Sequence, residues 1–323
     1  MRESFSLALL LSLSAGASIA SAQTPLAHKI TQIAPGVYSA IGNGTIETRS
    51  SSMFIVNDIK TVTDKPIRYV VNTHWHYDHA DGNQVFGPEV QIIGHQNERT
   101  EILNGVLKNR IAQEFQNVGM QIENLRRQAS AETDPAKKKQ AEDRANAQQT
   151  YLDQLKETVP TPPNVTFEDH MTIFRGDREI RLLYLGRGHS DTDIMVYLPK
   201  EKIIATGDFF EGPGTGALNF GFHDEWANNL EKLKALDWET DVPGHGQPFK
   251  GKEQIAYFQA FLRDLWNQTK ALHDQRVPAA EAAKRVDLSA HKAHYRNING
   301  PGFQEATIAR IYQVLDQRGG GSN

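Results

Sequence analysis

Three imidazoles and one carboxylate stand within six residues at His74-Trp75-His76-Tyr77-Asp78-His79. The apolar run Ile67-Arg68-Tyr69-Val70-Val71 leads into them, and Ala80-Asp81-Gly82-Asn83 follows as the cap and start of a helix. A loop at the end of a buried strand can aim alternate side chains at one point. His74 and His76 are two apart, with Asp78 and His79 directly behind, so such a loop could serve two neighbouring metal ions. Three more candidates stand beside glycine downstream: His189, Asp208 and His245. A solvated turn that merely happens to be rich in histidine would not need those partners. The chain has no cysteine. Thiolate ligands, thiolate nucleophiles, disulfides and lipid-anchoring cysteines are therefore excluded. Imidazole and carboxylate remain, a donor set that suits zinc and also iron or manganese.

The elements that must position these residues are legible as apolar runs. Val37–Ile41, Met53–Val56, Ile67–Val71 and Val90–Gly94 read as short strands. Ile180–Leu185 and Ile194–Leu198 flank Gly186-Arg187-Gly188-His189-Ser190, and Lys202–Thr206 leads into Gly207-Asp208. Leu230, Leu233 and Leu236 mark a helix before Val242-Pro243-Gly244-His245-Gly246, and 254–272 and 304–315 are helical. Between 97 and 158 the pattern changes. Apolar residues from Ile102 to Leu125 recur at three- and four-residue spacing, which predicts a helix with one apolar stripe. Asp134-Pro135 caps a second, polar helix running to about Leu155. Together they form a helical hairpin inserted into the main domain, and Lys137-Lys138-Lys139 is a solvated face of it.

The 323 residues suffice for one large domain. A net charge of -4 argues against a nucleic-acid or anionic-membrane binder, and the mature chain has no apolar run long enough to span a membrane. The N-terminus reads as a signal peptide over 1–22, with Arg2, the apolar core Phe5–Leu13 and the cleavage site Ala20-Ser21-Ala22. That predicts a periplasmic or secreted protein with a main domain over 23–318 and a flexible tail over 319–323.

Four loops now carry metal-ligand residue types, in the order His74–His79, Gly188-His189, Thr206-Gly207-Asp208 and Pro243-Gly244-His245-Gly246. In that set and order the sequence resembles the metallo-β-lactamase superfamily. The resemblance implies an α+β fold, a four-layer αβ/βα sandwich carrying the hairpin as an insertion over the site mouth. It implies two zinc ions per chain. His74, His76 and His189 would hold the first; Asp78, His79 and His245 would hold the second; Asp208 would bridge them. Asp78 would also act in catalysis by orienting a metal-bound hydroxide, which is available because zinc-bound water ionises near pH ~7.

The expected activity is hydrolysis of an ester, thioester, lactone or amide in a small-molecule substrate. A β-lactamase is the alternative within that class. Asp208 at the bridging position argues against it, and the lack of cysteine excludes the subclasses with a cysteine ligand. The alternative of another class is a metal-binding protein without turnover that docks a protein partner through residues 97–158. Among the remaining histidines, His95 and His223 are candidates for substrate contact, while His28, His170, His273, His291 and His294 read as surface residues. Asp193 reads either as a partner orienting an imidazole or as a turn carboxylate. Trp75, Tyr77, Phe209 and Phe210 are expected to pack behind the site. The sequence departs from the family pattern in one place. Val56-Asn57-Asp58 runs almost directly into Thr63-Asp64-Lys65-Pro66, leaving no room for the strand and helix that normally precede the first histidine loop. The loss of that strand should expose apolar surface or force a neighbour to substitute.

Overall fold

The computed structural model describes residues 28–42 and 58–319. The signal run, the strand expected at Met53–Val56 and residues 320–323 lie outside the described residues. Strands β1 (His28–Ala34) and β2 (Val37–Gly42) form an antiparallel hairpin. Strands β3 (Tyr69–Val71), β4 (Gln91–His95) and β5 (Val165–Phe167) form a parallel sheet in that order. The largest sheet holds β6 (His170–Arg175), β7 (Arg178–Tyr184), β8 (Ile194–Leu198), β9 (Ile203–Gly207), β10 (Thr240–Pro243) and β11 (Phe249–Lys250). They lie in sequence order across the sheet, antiparallel except where β9 runs parallel to β10.

Strand periodicity assigns the two faces of this sheet. Along β8, Ile194 and Val196 point into a core shared with Ile93 and Leu182, packed against Tyr69, Val71 and Val165 of the parallel sheet. Met195 and Tyr197 point the other way. They join Ile204 beneath helices α5 (His223–Ala235) and α6 (Glu253–Asp274), whose Trp226, Leu230, Phe258 and Leu262 are buried. Each large apolar side chain buried there contributes about 1.5–3 kcal/mol relative to exposure. Short helices α1 (Tyr77–Ala80) and α2 (Gln96–Leu103) accompany the parallel sheet, where Ala80 and Ile102 pack with Leu107. The result is the expected α+β sandwich. Helices α7 (Ala279–Arg285), which the sequence reading missed, and α8 (Glu305–Gly319) complete the core beside α6. Gly319, expected to open the flexible tail, closes α8 instead.

The insertion differs from expectation at its start. Helix α2 ends at Leu103 and α3 (Val106–Ala131) begins after Asn104-Gly105. Gly105 has φ +89, a left-handed conformation that suits glycine and breaks the helix although the apolar stripe runs through it. Asp134 accepts from the amides of Ala136 and Lys137 and caps α4 (Pro135–Leu155) as expected. Val118 and Ile122 of α3 meet Tyr151 of α4, giving the hairpin its own small core.

The motif itself also folds differently. The helix begins inside it, at Tyr77, and ends at Asp81; a single 3-10 turn follows at Asn83–Val85. Residues 58–68 contain no strand: Thr61, Val62 and Thr63 close turns onto Asp58 and Ile59. Among the described residues the β1–β2 hairpin pairs with neither sheet. Strand β3 is, among the described residues, an edge of its sheet, and Tyr69, Val70 and Val71 stay only half-buried.

Candidate metal centre

Every predicted ligand residue sits just beyond the C-terminal end of a strand, or, for His189, in the turn between two. The backbone after β3 is tied down on both sides. Asn72 donates its amide to Ile93 and its side chain to Glu98, and the Thr73 carbonyl accepts from Ile194. The Trp75 amide reaches Thr192. The turn that carries His189 is held by Asp193, which accepts from the amide and hydroxyl of Ser190 at 2.9 and 2.7 Å. Asp193 is thus the turn carboxylate. Gly207, with φ +54, turns the chain out of β9 against Thr73 and presents Asp208. The Thr206 hydroxyl lies 2.8 Å from both the Phe210 carbonyl and Asp241. The Thr206 hydroxyl thus has two acceptors in reach, and burial pushes the Asp241 carboxyl well up against the hydrogen bonds it receives from Thr206 and Val242. The parallel pairing of β9 with β10 then places His245 beside Asp208, with the Gly244 amide on the Gly207 carbonyl at 2.9 Å.

All seven predicted residues come together as two groups, and within each the potential ligand atoms lie within 4.8 Å of one another. The first holds His74, His76, His189 and Asp208, all buried. Nδ1 of His76 is 3.0 Å from Nε2 of His74 and 2.8 Å from Nε2 of His189. The second holds Asp78, His79 and His245. Nε2 of His245 is 3.2 Å from Asp78 and Nε2 of His79 is 3.5 Å from it. Asp208 faces both groups: its Oδ2 is 3.4 Å from Nε2 of His189 and of His245, and its Oδ1 is 3.4 Å from Nε2 of His79.

The donor chemistry fits divalent metal. Burial and the surrounding imidazoles hold His74 well below the ordinary histidine value, burial and His189 do the same to His76, and burial takes His189 down to about 4. Each neutral imidazole offers one nitrogen lone pair, and three that converge suit a shared cation. Burial would raise Asp78 and Asp208, but contacts with His245 and His79 hold both well below the usual carboxylate range. Nε2 of His79 and Oδ1 of Asp208 are buried and lie 3.4 Å apart without a well-formed hydrogen bond. Buried polar atoms left this way carry a desolvation cost that ligation would remove. The site therefore offers two sets of donors with a carboxylate between them.

A cavity of about 270 Å³ opens onto the donors, lined by Trp75, Tyr77, Arg110, Glu211, Asn219 and Phe220 besides the His and Asp residues. Trp75 and Tyr77 pack against Ala80, Ile102 and Leu107 and also line the cavity. Phe209 and Phe210 are fully buried behind the site as expected. His95 and His223 do not line the cavity. The His95 ring caps α2 by accepting from the Asn97 amide at 3.1 Å and lies 3.0 Å from the Glu168 carbonyl. His223 is wholly buried at the start of α5. His28 and His291 are partly buried against Asp58 and Asp264 and are not plain surface residues. The lining residues Arg110 and Glu211 were missed. No spacing rule brings Arg110, on an inserted helix, to a loop more than thirty residues earlier.

Comparison with known proteins agrees with this geometry. The family model described as "Metallo-beta-lactamase superfamily" matches residues 50–245. A linear primary-alkylsulfatase of Pseudomonas sp. is 24% identical over 262 residues, covering 78% of this chain and 48% of that protein. A metallo-beta-lactamase type 2 of Bacteroides fragilis is 32% identical over 128 residues, covering 38% of this chain and 51% of that one. The structure of an inverting sec-alkylsulfatase from Pseudomonas sp. superposes with a TM-score of 0.59 at 16% identity, over 89% of this chain and 50% of that one. The chain spans about half the length of the curated relatives it matches.

Proposed function

The chain belongs to the metallo-β-lactamase superfamily, and we propose that it is an exported zinc-dependent hydrolase of ester, thioester, lactone or amide bonds. The observation that carries this reading is the position of Asp208 between two groups of histidines on the floor of an open cavity. In the proposed site His74, His76 and His189 would hold one ion and Asp78, His79 and His245 a second, with Asp208 shared between them. Iron or manganese would suit the same donors. When bound, a divalent ion there supplies Lewis acidity, polarising a substrate oxygen and making water ionise near pH ~7. The chain's own residues do the rest. Asp78, at the cavity edge of the second group, orients the attacking water. Trp75, Tyr77 and Phe220 exclude bulk water and grip an apolar substrate body.

A second reading, hydrolysis of alkyl sulfate esters, is favoured by the alkylsulfatase whose alignment covers most of this chain. A β-lactamase is the third, favoured by the Bacteroides relative over a shorter stretch. Export rests on Phe5–Leu13 and Ala20-Ser21-Ala22. The test uses zinc-loaded full-length protein against 4-nitrophenyl esters, thioesters, lactones, dodecyl sulfate and a chromogenic cephalosporin. Turnover of at least one class that His76→Ala abolishes supports the reading. A folded, metal-loaded protein that cleaves none of them sinks it.

A further inference from the structure

The helical insertion reaches the cavity at one residue. Among the lining residues only Arg110, in the second turn of α3, comes from it. Its guanidinium carbon lies 5.0 Å from the centre of the Tyr77 ring. Its ion pair is with Glu114 one turn on, loose at 3.6 Å. Five N–H donors are available on a guanidinium, and Glu114 with the Tyr77 hydroxyl leaves others for another acceptor. The neighbouring walls are apolar, formed by Trp75, Tyr77 and Phe220, with the Asn219 amide nearby. The other charged lining residues are Asp78, Asp208, Glu211 and His245. Of these, His245 is engaged by both aspartates. Arg110 is thus the one lining group with a fixed positive charge outside the histidine groups.

We infer that Arg110 selects substrates bearing a separate anionic group, a carboxylate carried on an otherwise apolar ester. The inference rests on the hydrolase reading and deepens it by naming the substrate class. A planar guanidinium binds a carboxylate through two parallel hydrogen bonds, stronger than neutral ones. The stacked Tyr77 ring limits the rotamers Arg110 must give up on binding. Trp75 and Phe220 take the apolar body while the scissile group sits over the histidines. Glu114 competes for the guanidinium, so it tunes the preference downward.

The test compares two chromogenic esters with the same leaving group and similar length: mono-4-nitrophenyl glutarate, which carries a carboxylate, and 4-nitrophenyl pentanoate, which does not. Zinc-loaded full-length protein is used, with folding checked by circular dichroism. The readout is the ratio of kcat/KM for the anionic over the neutral ester. Arg110→Met should lower that ratio by about fivefold or more, chiefly through KM, as expected for loss of a partly exposed ion pair. Arg110→Lys should keep part of it, and Glu114→Gln should raise it. A smaller fall in Arg110→Met overturns the inference. If neither ester is cleaved, the hydrolase reading is decided by the wider substrate panel, and charge selection is read by calorimetric titration with 4-phenylbutyrate and 4-phenylbutyramide. The wild type should then prefer the carboxylate and Arg110→Met should not; an equal preference in both overturns the inference.

Discussion

Oδ1 of Asp208 stands where a side chain on Gly244 would begin. A Cβ added to Gly244 would collide with that oxygen, and would lie 3.0 Å from the Gly207 carbonyl carbon and 3.1 Å from the His79 ring. Gly244 is therefore needed for space, since strands β9 and β10 run side by side and deliver Asp208 and His245 to one point. Gly244→Ala should keep the fold but push Asp208 out of line with both histidine groups. We expect metal content per chain, by elemental analysis after dialysis, to fall clearly below wild type. Unchanged content would mean that Asp208 has room to move.

Asp208→Asn keeps the shape and removes the charge. Asp208 faces His74, His189, His79 and His245. A residue shared by both groups should cost more than the about 10–100-fold typical of losing an outer-shell partner. Metal titration should show both affinities weakened. A loss confined to one ion would place Asp208 with that group alone.

The seven site residues were legible because each follows an apolar run or a glycine turn, and the strand period aims such loops at a common edge. The cavity was not. Trp75 and Tyr77 alternate with ligands and pack against Ala80, Ile102 and Leu107, yet both also line the cavity. The break at Gly105 was hidden by an apolar stripe that continues through it, and Arg110 reaches the site only through that break. That residues 58–68 hold no strand followed from a count of residues between Val56 and Pro66.

Metal uptake should release protons. Contacts with Asp208 and Asp78 outweigh burial and raise His79 to about 9; the same two carboxylates raise His245 to about 11. Both are charged in the metal-free protein at pH 7, and a metal must displace those protons. Calorimetry in buffers of different ionisation enthalpy should therefore show net release. The sign for stability follows. A raised histidine contributes stability that is fully present below the unfolded value of about 6.5 and is lost as pH rises through the folded one. Asp78 and Asp208, held low, contribute stability above about 3.8 that is lost as pH falls further. The melting temperature of metal-free protein should drop as pH rises from about 8 towards 11. A flat profile there would remove the carboxylate–histidine contacts as its source.

His223 should act in the opposite direction and away from the metal. It is fully buried at the first turn of α5, and burial, with Arg310 nearby, pushes its imidazole down to about 3. The unfolded chain takes up this proton near pH ~6.5, while the folded chain resists it until about 3. Between those values the unfolded state binds more protons, so stability falls as pH falls. His223→Leu removes the titrating group and keeps an apolar side chain of similar bulk beside Trp226. Urea unfolding at pH 7.5 and pH 5 should show wild type losing more stability between the two than the variant does. Equal losses would mean that acid sensitivity comes from elsewhere, with His74, His76 and His189 as the remaining buried histidines held low near the site.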